Sequence, residues 1–337
     1  MPIQPRTSEE QRLAQAEDAI GPFIALIERE LIRSNIRISQ DTPDNVHAFA
    51  RWYHSAVVAL EASVAGQERQ QPTSPRDVQM MCRCALTAGD LKEALQLLCE
   101  FTAMLHPRIG ELRLYQSSQT VTLSQNPLRQ QKDSRASLVN ITGLFSFYQL
   151  MQWLVEAPIQ LDRIDIGPVD RDDLLPFIKL FDAPAIAGTE HFQLHFSQHY
   201  LELPVSRDKA ELTAFLNCFP CEIFTRADTH LPRQIQALFV AAIHRQTRLP
   251  RIPDITRTLN ISAASLQRAV AREGSSISEL KTAARMDCLR FYWLERNMPL
   301  NQVSRRLGFS DDISFRRAFH RWTGCSPSQW RKREAGP

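Results

Sequence analysis

Leu300-Asn-Gln-Val-Ser-Arg-Arg-Leu-Gly-Phe-Ser-Asp-Asp-Ile-Ser-Phe-Arg-Arg-Ala-Phe-His-Arg-Trp-Thr-Gly324 decides the fold of the C-terminal third of the chain. Its pattern predicts a short helix, a tight turn at Gly308, a serine, Ser310, that can cap the next helix, and then a second helix. This order of elements is typical of a helix-turn-helix unit, whose second helix commonly enters the major groove of DNA. One such pattern alone is weak evidence, because helix pairs with a polar turn are common.

The same order occurs a second time, in Ile252-Pro-Asp-Ile-Thr-Arg-Thr-Leu-Asn-Ile-Ser-Ala-Ala-Ser-Leu-Gln-Arg-Ala-Val-Ala-Arg-Glu-Gly274. Here the turn falls at Asn260, and Ser262 can cap the second helix. We place the two units at about residues 252–273 and 300–323, joined by a linker helix at about residues 277–297. If that helix is rigid, its length of about 30 Å puts both second helices on one DNA face.

Charge is distributed unevenly along the chain. Residues 229–337 carry 19 Lys and Arg against 8 Asp and Glu, whereas residues 1–228 carry 21 against 29. The formal net charge of +3 is therefore the sum of an acidic N-terminal part and a basic C-terminal part. A basic module is what the neutralisation of DNA phosphates requires.

The N-terminal part mixes helical and strand patterns. Apolar spacing predicts strands at residues 111–123 (a hairpin), 160–166 and 192–196. It predicts helices at residues 9–36 (interrupted at Gly21-Pro22), 46–64, 77–85, 91–105, 137–155, 172–181 and 209–224. We therefore expect two domains: a polar tail at residues 1–8, an α+β effector and dimerisation domain at 9–227, and an all-α double helix-turn-helix domain at 228–337.

The C-terminal motif resembles the signature of the AraC/XylS family of bacterial transcription regulators. The matching stretch runs from Leu307 to Arg331 and contains Gly-Phe-Ser, followed by Phe-x-Arg-x-Phe-x-Arg-x-x-Gly-x-Ser-Pro. In the first unit, Asn260 stands where many relatives have glycine, a change that asparagine tolerates because it also adopts left-handed backbone. The resemblance implies two DNA sites per monomer and activation through RNA polymerase.

The front domain shows a fainter resemblance to the sensor domain of one AraC subgroup, which includes ornithine-responsive and virulence regulators. It is carried by residues 88–98, 180–196 and 200–204. Such domains bind small effectors, dimerise, or do both. The resemblance therefore implies a small-molecule effector and a homodimer, and it names no ligand-binding residue.

Helical spacing identifies candidate DNA-reading residues. In the first unit Leu266 and Val270 form a core stripe, and the opposite stripe offers Gln267 and Arg268. In the second unit the stripe opposite the core consists of Ile313, Arg316, Arg317 and His320. Arginine pairs with guanine, glutamine with adenine, and an apolar tip can meet a thymine methyl group. We assign base readout to Gln267, Arg268, Ile313, Arg316 and Arg317.

A further set of polar residues is expected to contact the DNA backbone or to cap helices, because these residues lie at helix ends. They are Ser262, Ser265, Arg272, Ser310, Asp312, Ser314, His320 and Arg321. For any single arginine in these helices, plain solvation or phosphate contact is the alternative to base readout.

An aromatic run in the front domain suggests an effector pocket, formed by Phe145, Phe147, Tyr148 and Trp153. Packing in the core is at least as good an explanation, since aromatic residues at helical spacing usually are core residues. The sequence shows no catalytic constellation, P-loop or metal-binding motif, so we expect no enzymatic activity, cofactor or metal. It also shows no membrane span and no signal peptide, so we expect a cytoplasmic protein.

Two alternatives stay open. The front domain could dimerise without sensing an effector. The pair Cys218 and Cys221 could respond to thiol oxidation or to a metal, since CxxC supports both chemistries. For Cys82, Cys84 and Cys99, which lie at helical core positions, the inert interpretation is favoured because buried free cysteine packs as a small hydrophobe.

Overall fold

The computed structural model divides the chain into two compact units, Met1–Thr229 and His230–Pro337. It describes residues 8–38, 46–106, 110–117, 119–127, 129–130, 132–167, 174–218, 231–259 and 261–334. Within these residues the first unit is α+β and the second is helical, which confirms the predicted fold class. No helix in the described ranges is long and apolar enough to cross a membrane.

The first unit contains seven α-helices and five strands in its described part. The helices are α1 (Ser8–Arg33), α2 (Val46–Glu68), α3 (Pro75–Ala85), α4 (Leu91–Leu105), α5 (Ser134–Val155), α6 (Leu175–Phe181) and α7 (Lys209–Cys218). The strands are β1 (Leu112–Gln116), β2 (Thr120–Gln125), β3 (Leu161–Ile166), β4 (Ala185–Ile186) and β5 (Phe192–Ser197). A 3₁₀ turn, Gln198–Glu202, follows β5.

The strands form one mixed sheet in the order β1-β2-β5-β3-β4. Neighbours pair antiparallel, except that β3 and β4 pair parallel. Leu194 and Phe196 of β5 alternate toward a buried face, against which α5 packs. The hairpin and the two single strands predicted from the sequence are confirmed, whereas β4 was not predicted, because two residues are too few to show alternation.

The outer edge of β1 is covered by α4. The Leu112 N–H donates to the Thr102 hydroxyl at 3.0 Å, and the Leu114 backbone lies against the Cys99 thiol. Thr102 is fully buried by this contact. Covering an edge strand with a helix satisfies backbone groups that would otherwise be unpaired.

One expectation about helices in the first unit is corrected, and another is tested only in part. The interruption expected at Gly21-Pro22 is wrong, because α1 continues through Pro22. Phe23 and Ile27 after it are fully buried, so packing of the apolar face outweighs the hydrogen bond that proline removes. The helix expected at residues 209–224 is described only to Cys218, and the rest of that range lies outside the described residues.

The second unit consists of α8 (Leu231–His244), α9 (Ile252–Leu259), α10 (Ala263–Arg272), α11 (Ile277–Leu289), α12 (Leu300–Arg306), α13 (Asp312–Thr323) and α14 (Pro327–Glu334). The linker predicted as one α-helix over residues 277–297 is partly wrong. It is α-helical only to Leu289 and then forms a π-helical turn over Arg290–Glu295. An apolar pattern alone does not distinguish these two kinds of helix, because both are buried on one side.

Candidate nucleic-acid interface

The second helix of the first unit, α10, begins with a serine cap. Ser262 is its N-cap, and its hydroxyl accepts a hydrogen bond from the Ser265 N–H at 3.1 Å. Leu266 and Val270 are buried and face the core, as the sequence predicts. The predicted turn residue, Asn260, lies outside the described residues.

The outer face of α10 is exposed and carries Gln267, Arg268 and Arg272. The Arg268 guanidinium lies along its own helix, with Nε donating to the Ala264 carbonyl at 3.3 Å and Nη2 to the Ser265 hydroxyl at 3.5 Å. Both bonds lie at the surface and are long, so breaking them to reach a ligand costs little.

The second helix of the second unit, α13, begins one residue later than the sequence suggested. Its N-cap is Asp311, whose Oδ1 accepts from the Ser314 N–H at 2.8 Å. The predicted cap at Ser310 is therefore wrong; the Ser310 hydroxyl donates to Asp311 Oδ2 at 3.1 Å. A carboxylate can accept from several donors at once, so Asp311 serves both neighbours. The bonds from Ser314 hold the pKa of Asp311 below its usual range.

The outer face of α13 carries Ile313, Arg316, Arg317 and His320, all of them exposed. Ile313 exposes 65% of its surface, so its side chain is accessible to a partner on this face. The opposite face, with Phe315, Ala318 and Phe319, is buried. Helical spacing thus assigned each face of α13 correctly.

The remaining residues assigned to backbone contact or capping are placed at the surface. Ser265 is half-buried, and the others are exposed: Ser262, Arg272, Ser310, Asp312, Ser314, His320 and Arg321. The Ser314 hydroxyl donates to Asp311 Oδ2 at 2.8 Å, so it supports the cap. None of these placements tests contact with DNA, which stays a prediction.

The turn between α12 and α13 depends on a glycine and on an arginine that sequence analysis missed. Gly308 has φ of +85°, a backbone conformation that side-chain-bearing residues rarely adopt. Arg285 of α11 donates from Nε to the Leu307 carbonyl at 3.3 Å and lies over the Phe309 ring, 5.1 Å from its centroid. The linker helix therefore holds this turn, although nothing in the sequence distinguishes Arg285 from a solvated arginine.

The four aromatic residues predicted to bind an effector lie on α5 and are buried: Phe145, Phe147, Tyr148 and Trp153. Phe145 meets Phe181 of α6 edge to face, with ring centroids 5.1 Å apart. Trp153 stacks on Phe215 of α7 at 4.3 Å. These contacts favour a core role for the rings, and effector binding by them stays a prediction.

The cysteines of the first unit lie in different environments. Burial raises the pKa of Cys82 to about 12 and that of Cys99 to about 11, so both thiols stay protonated at neutral pH and are poor nucleophiles. The side chain of Cys218 and the whole of Cys221 lie outside the described residues, so the CxxC alternative is untested. In the described ranges no three His, Cys, Asp or Glu side chains are placed to hold a metal ion.

Two family models match the chain. Residues 34–205 match the arabinose-binding domain of AraC transcription regulators, and residues 255–333 match a helix-turn-helix domain. The first match covers half of the chain, and the second covers both helix-turn-helix units except for the first three residues of α9. The chain therefore belongs to the AraC family of transcriptional regulators.

Curated relatives agree with this assignment. An HTH-type transcriptional regulator of Mycobacterium tuberculosis is 28% identical over 172 residues, which are 49% of this chain and 48% of the relative. The ornithine utilization regulator of Pseudomonas aeruginosa is 25% identical over 201 residues, 58% of each chain. VqsM of the same organism is 31% identical over 99 residues, 29% of this chain and 30% of VqsM. The chain thus spans about half the length of the curated relatives matched first.

Proposed function

We propose that the protein regulates transcription by binding two adjacent major-groove sites per monomer, with α10 and α13 as the reading helices. One observation carries this proposal: each helix buries an apolar stripe and exposes an opposite stripe of long hydrogen-bonding side chains. The excess of basic residues in the same unit supports it, because cationic side chains neutralise DNA phosphates.

The reading residues differ between the two helices. On α10, Gln267 and Arg268 are long enough to reach base edges, whereas the neighbouring alanines, Ala264 and Ala271, are not. On α13, Arg316 and Arg317 stand beside the exposed Ile313, which suits contact with a thymine methyl group. Arg272 and Arg321, nearer the helix ends, are assigned to phosphates.

We further propose that the first unit binds a small-molecule effector and forms a homodimer, and that the protein activates transcription by contacting RNA polymerase. The match of residues 34–205 to a ligand-binding domain of this family supports the effector. One relative is named as a regulator of ornithine utilization, and that name describes the relative alone. Thermal-shift screening of the full chain against metabolites separates this proposal from a front domain that only dimerises.

Selection of binding sites from randomised duplex DNA tests the reading assignment. Arg268→Ala is expected to weaken the free energy of DNA binding by about 1–3 kcal/mol. It should also relax the base preference at one or two base pairs of one half-site. Replacing Arg316 or Arg317 is expected to do the same in the other half-site, about 10 base pairs away. Unchanged base preference in both Arg268→Ala and the double Arg316→Ala/Arg317→Ala variant would refute the assignment.

A further inference from the structure

The linker helix changes its hydrogen bonding near its C-terminal end. Arg290–Glu295 form a π-helical turn, after which the Arg296 N–H donates to the Phe291 carbonyl at 3.0 Å. Such turns are rare and frequently occur at functional positions. Phe291, Tyr292 and Trp293 are all buried. Because successive side chains of a helix point in different directions, this turn must contact neighbours on more than one side.

Those neighbours support different helix-turn-helix units. Phe291 and Tyr292 each pack against His244 of α8 with ring centroids 5.0 Å apart, and α8 in turn packs against α10 and α11. Trp293 packs against Phe319 of α13, with ring centroids 6.4 Å apart. We call the turn Arg290–Glu295 the joint, because it lies between the helices that support the two units.

One hydroxyl spans the joint. Tyr292 Oη lies 2.6 Å from His244 Nδ1 and 3.3 Å from Nη1 of Arg306, the last residue of α12. The Arg306 guanidinium also lies over the Tyr292 ring, 4.9 Å from its centroid. Burial raises the pKa of Tyr292 to about 12, so the hydroxyl keeps its hydrogen at neutral pH. Since a guanidinium only donates, the hydroxyl accepts from Arg306, and it shares a second hydrogen bond with His244 Nδ1.

We propose that Tyr292 is a positioning residue for DNA recognition, whose hydroxyl ties α8 to α12 and so fixes the separation and angle of α10 and α13. The proposal rests on the reading of two adjacent sites proposed above. Hydrogen bonds are directional and weaken steeply when bent or stretched, so a bond on each side of the joint restricts its movement. Tyr292 is buried, so it acts on the accepted spacing of half-sites through α8 and α12.

Binding to duplexes of altered spacing tests this role. Full-length wild-type protein first selects its site from randomised DNA, and the selected duplex is the probe. Derivatives carry one or two extra base pairs between the half-sites, or keep one half-site only. Tyr292→Phe retains the ring contacts and removes the hydroxyl, and Arg306→Met removes the donor from α12. Thr323→Val is the matched control, because the Thr323 hydroxyl bonds to Phe319, at 2.9 Å, and to Cys325, which both lie on one side of the joint.

Wild type and Thr323→Val are expected to prefer one spacing sharply. Tyr292→Phe, which loses the bonds of the hydroxyl to both His244 and Arg306, should bind that spacing about 3- to 10-fold more weakly. Its affinity should fall much less than that of wild type when base pairs are inserted, and its affinity for one half-site should be unchanged. Arg306→Met should likewise make affinity depend less on the spacing of the half-sites; we call this dependence the spacing profile.

A wild-type spacing profile in Tyr292→Phe would overturn the positioning role and leave the two-site function standing. Selection by the wild type of a single half-site would overturn the two-site function, and the positioning role with it. Tyr292→Phe could instead lose the same factor of affinity for the single half-site and for every spacing. That result would show a general structural effect, which also overturns the positioning role.

Discussion

The N-caps of the two reading helices use different chemistry for the same purpose. A neutral hydroxyl, that of Ser262, begins α10, whereas the carboxylate of Asp311 begins α13. Each accepts the backbone N–H three residues on, which the helix itself cannot satisfy. Sequence analysis identified the first cap but chose Ser310 for the second, because two adjacent residues there were both good cap formers.

Removing the caps distinguishes these assignments. Ser262→Ala is expected to destabilise α10 by about 1 kcal/mol, the typical loss for an N-cap. Ser310→Ala should change the stability of α13 by less than about 0.5 kcal/mol, because Asp311 keeps the cap. Hydrogen exchange at increasing urea concentrations measures the stability of α10 and that of α13 separately. Equal losses in the two variants would contradict the assignment of Asp311.

The carboxylate at Asp311 makes the start of α13 sensitive to acid. Its pKa is lowered in the folded protein by the bonds from Ser314, so its stabilising effect is present above the unfolded pKa of about 4. That effect is lost as the pH falls through the lower folded value. The protection of the α13 amides, relative to the intrinsic exchange rate at each pH, should therefore fall in acid more in wild type than in Asp311→Asn, which caps without titrating. Identical acid profiles would disprove this role.

At the scale of the element, the period of apolar residues decided what could be predicted. The buried and exposed faces of α10 and α13 followed from it, because each helix is packed on one side only. The π-helical turn after Leu289 could not be foreseen, since three consecutive buried aromatics fit several helical geometries. The short β4 and the contact between Tyr292 and Arg306 depend on tertiary packing, which local sequence does not encode.

The core role of α5 yields a prediction about Phe145. Phe145→Ala should destabilise the first unit by about 3–5 kcal/mol, because the side chain is fully buried against Phe181. Tyr115→Ala on β1 is the control. Because Tyr115 is 52% exposed, this substitution should destabilise the first unit far less. Thermal unfolding of the full chain compares the two. A stable Phe145→Ala protein with an altered effector response would favour an effector pocket instead.

At the scale of the whole molecule, the uneven distribution of charge between the units predicts that the second unit binds DNA by itself. The fragment 228–337 should fold and bind DNA alone, because the apolar stripes of α8, α10 and α13 are buried within the second unit. Its affinity should fall steeply with salt, since each neutralised phosphate releases counterions. Circular dichroism and titrations at several salt concentrations check this. A folded fragment whose binding ignores ionic strength would refute it.

The same titrations separate phosphate contacts from base contacts. Arg272→Ala and Arg321→Ala are expected to weaken binding to all sequences alike. Each should reduce the slope of log affinity against log salt by about 1. Arg268→Ala is the comparison, because it should change sequence preference as well. An altered base preference in Arg272→Ala or Arg321→Ala would show that the replaced arginine contacts bases and not only phosphates.

The contact of α4 with β1 limits how two copies of this chain can associate. An open strand edge is a template on which another molecule can extend the sheet. Here the outward N–H of Leu112 is already bonded to Thr102, and Cys99 of α4 lies against the backbone of Leu114. A partner strand would have to displace α4 before it could join at these residues. A dimer that keeps α4 in place must therefore be held there by side chains and by helix surfaces, and not by a sheet continuous across the two molecules.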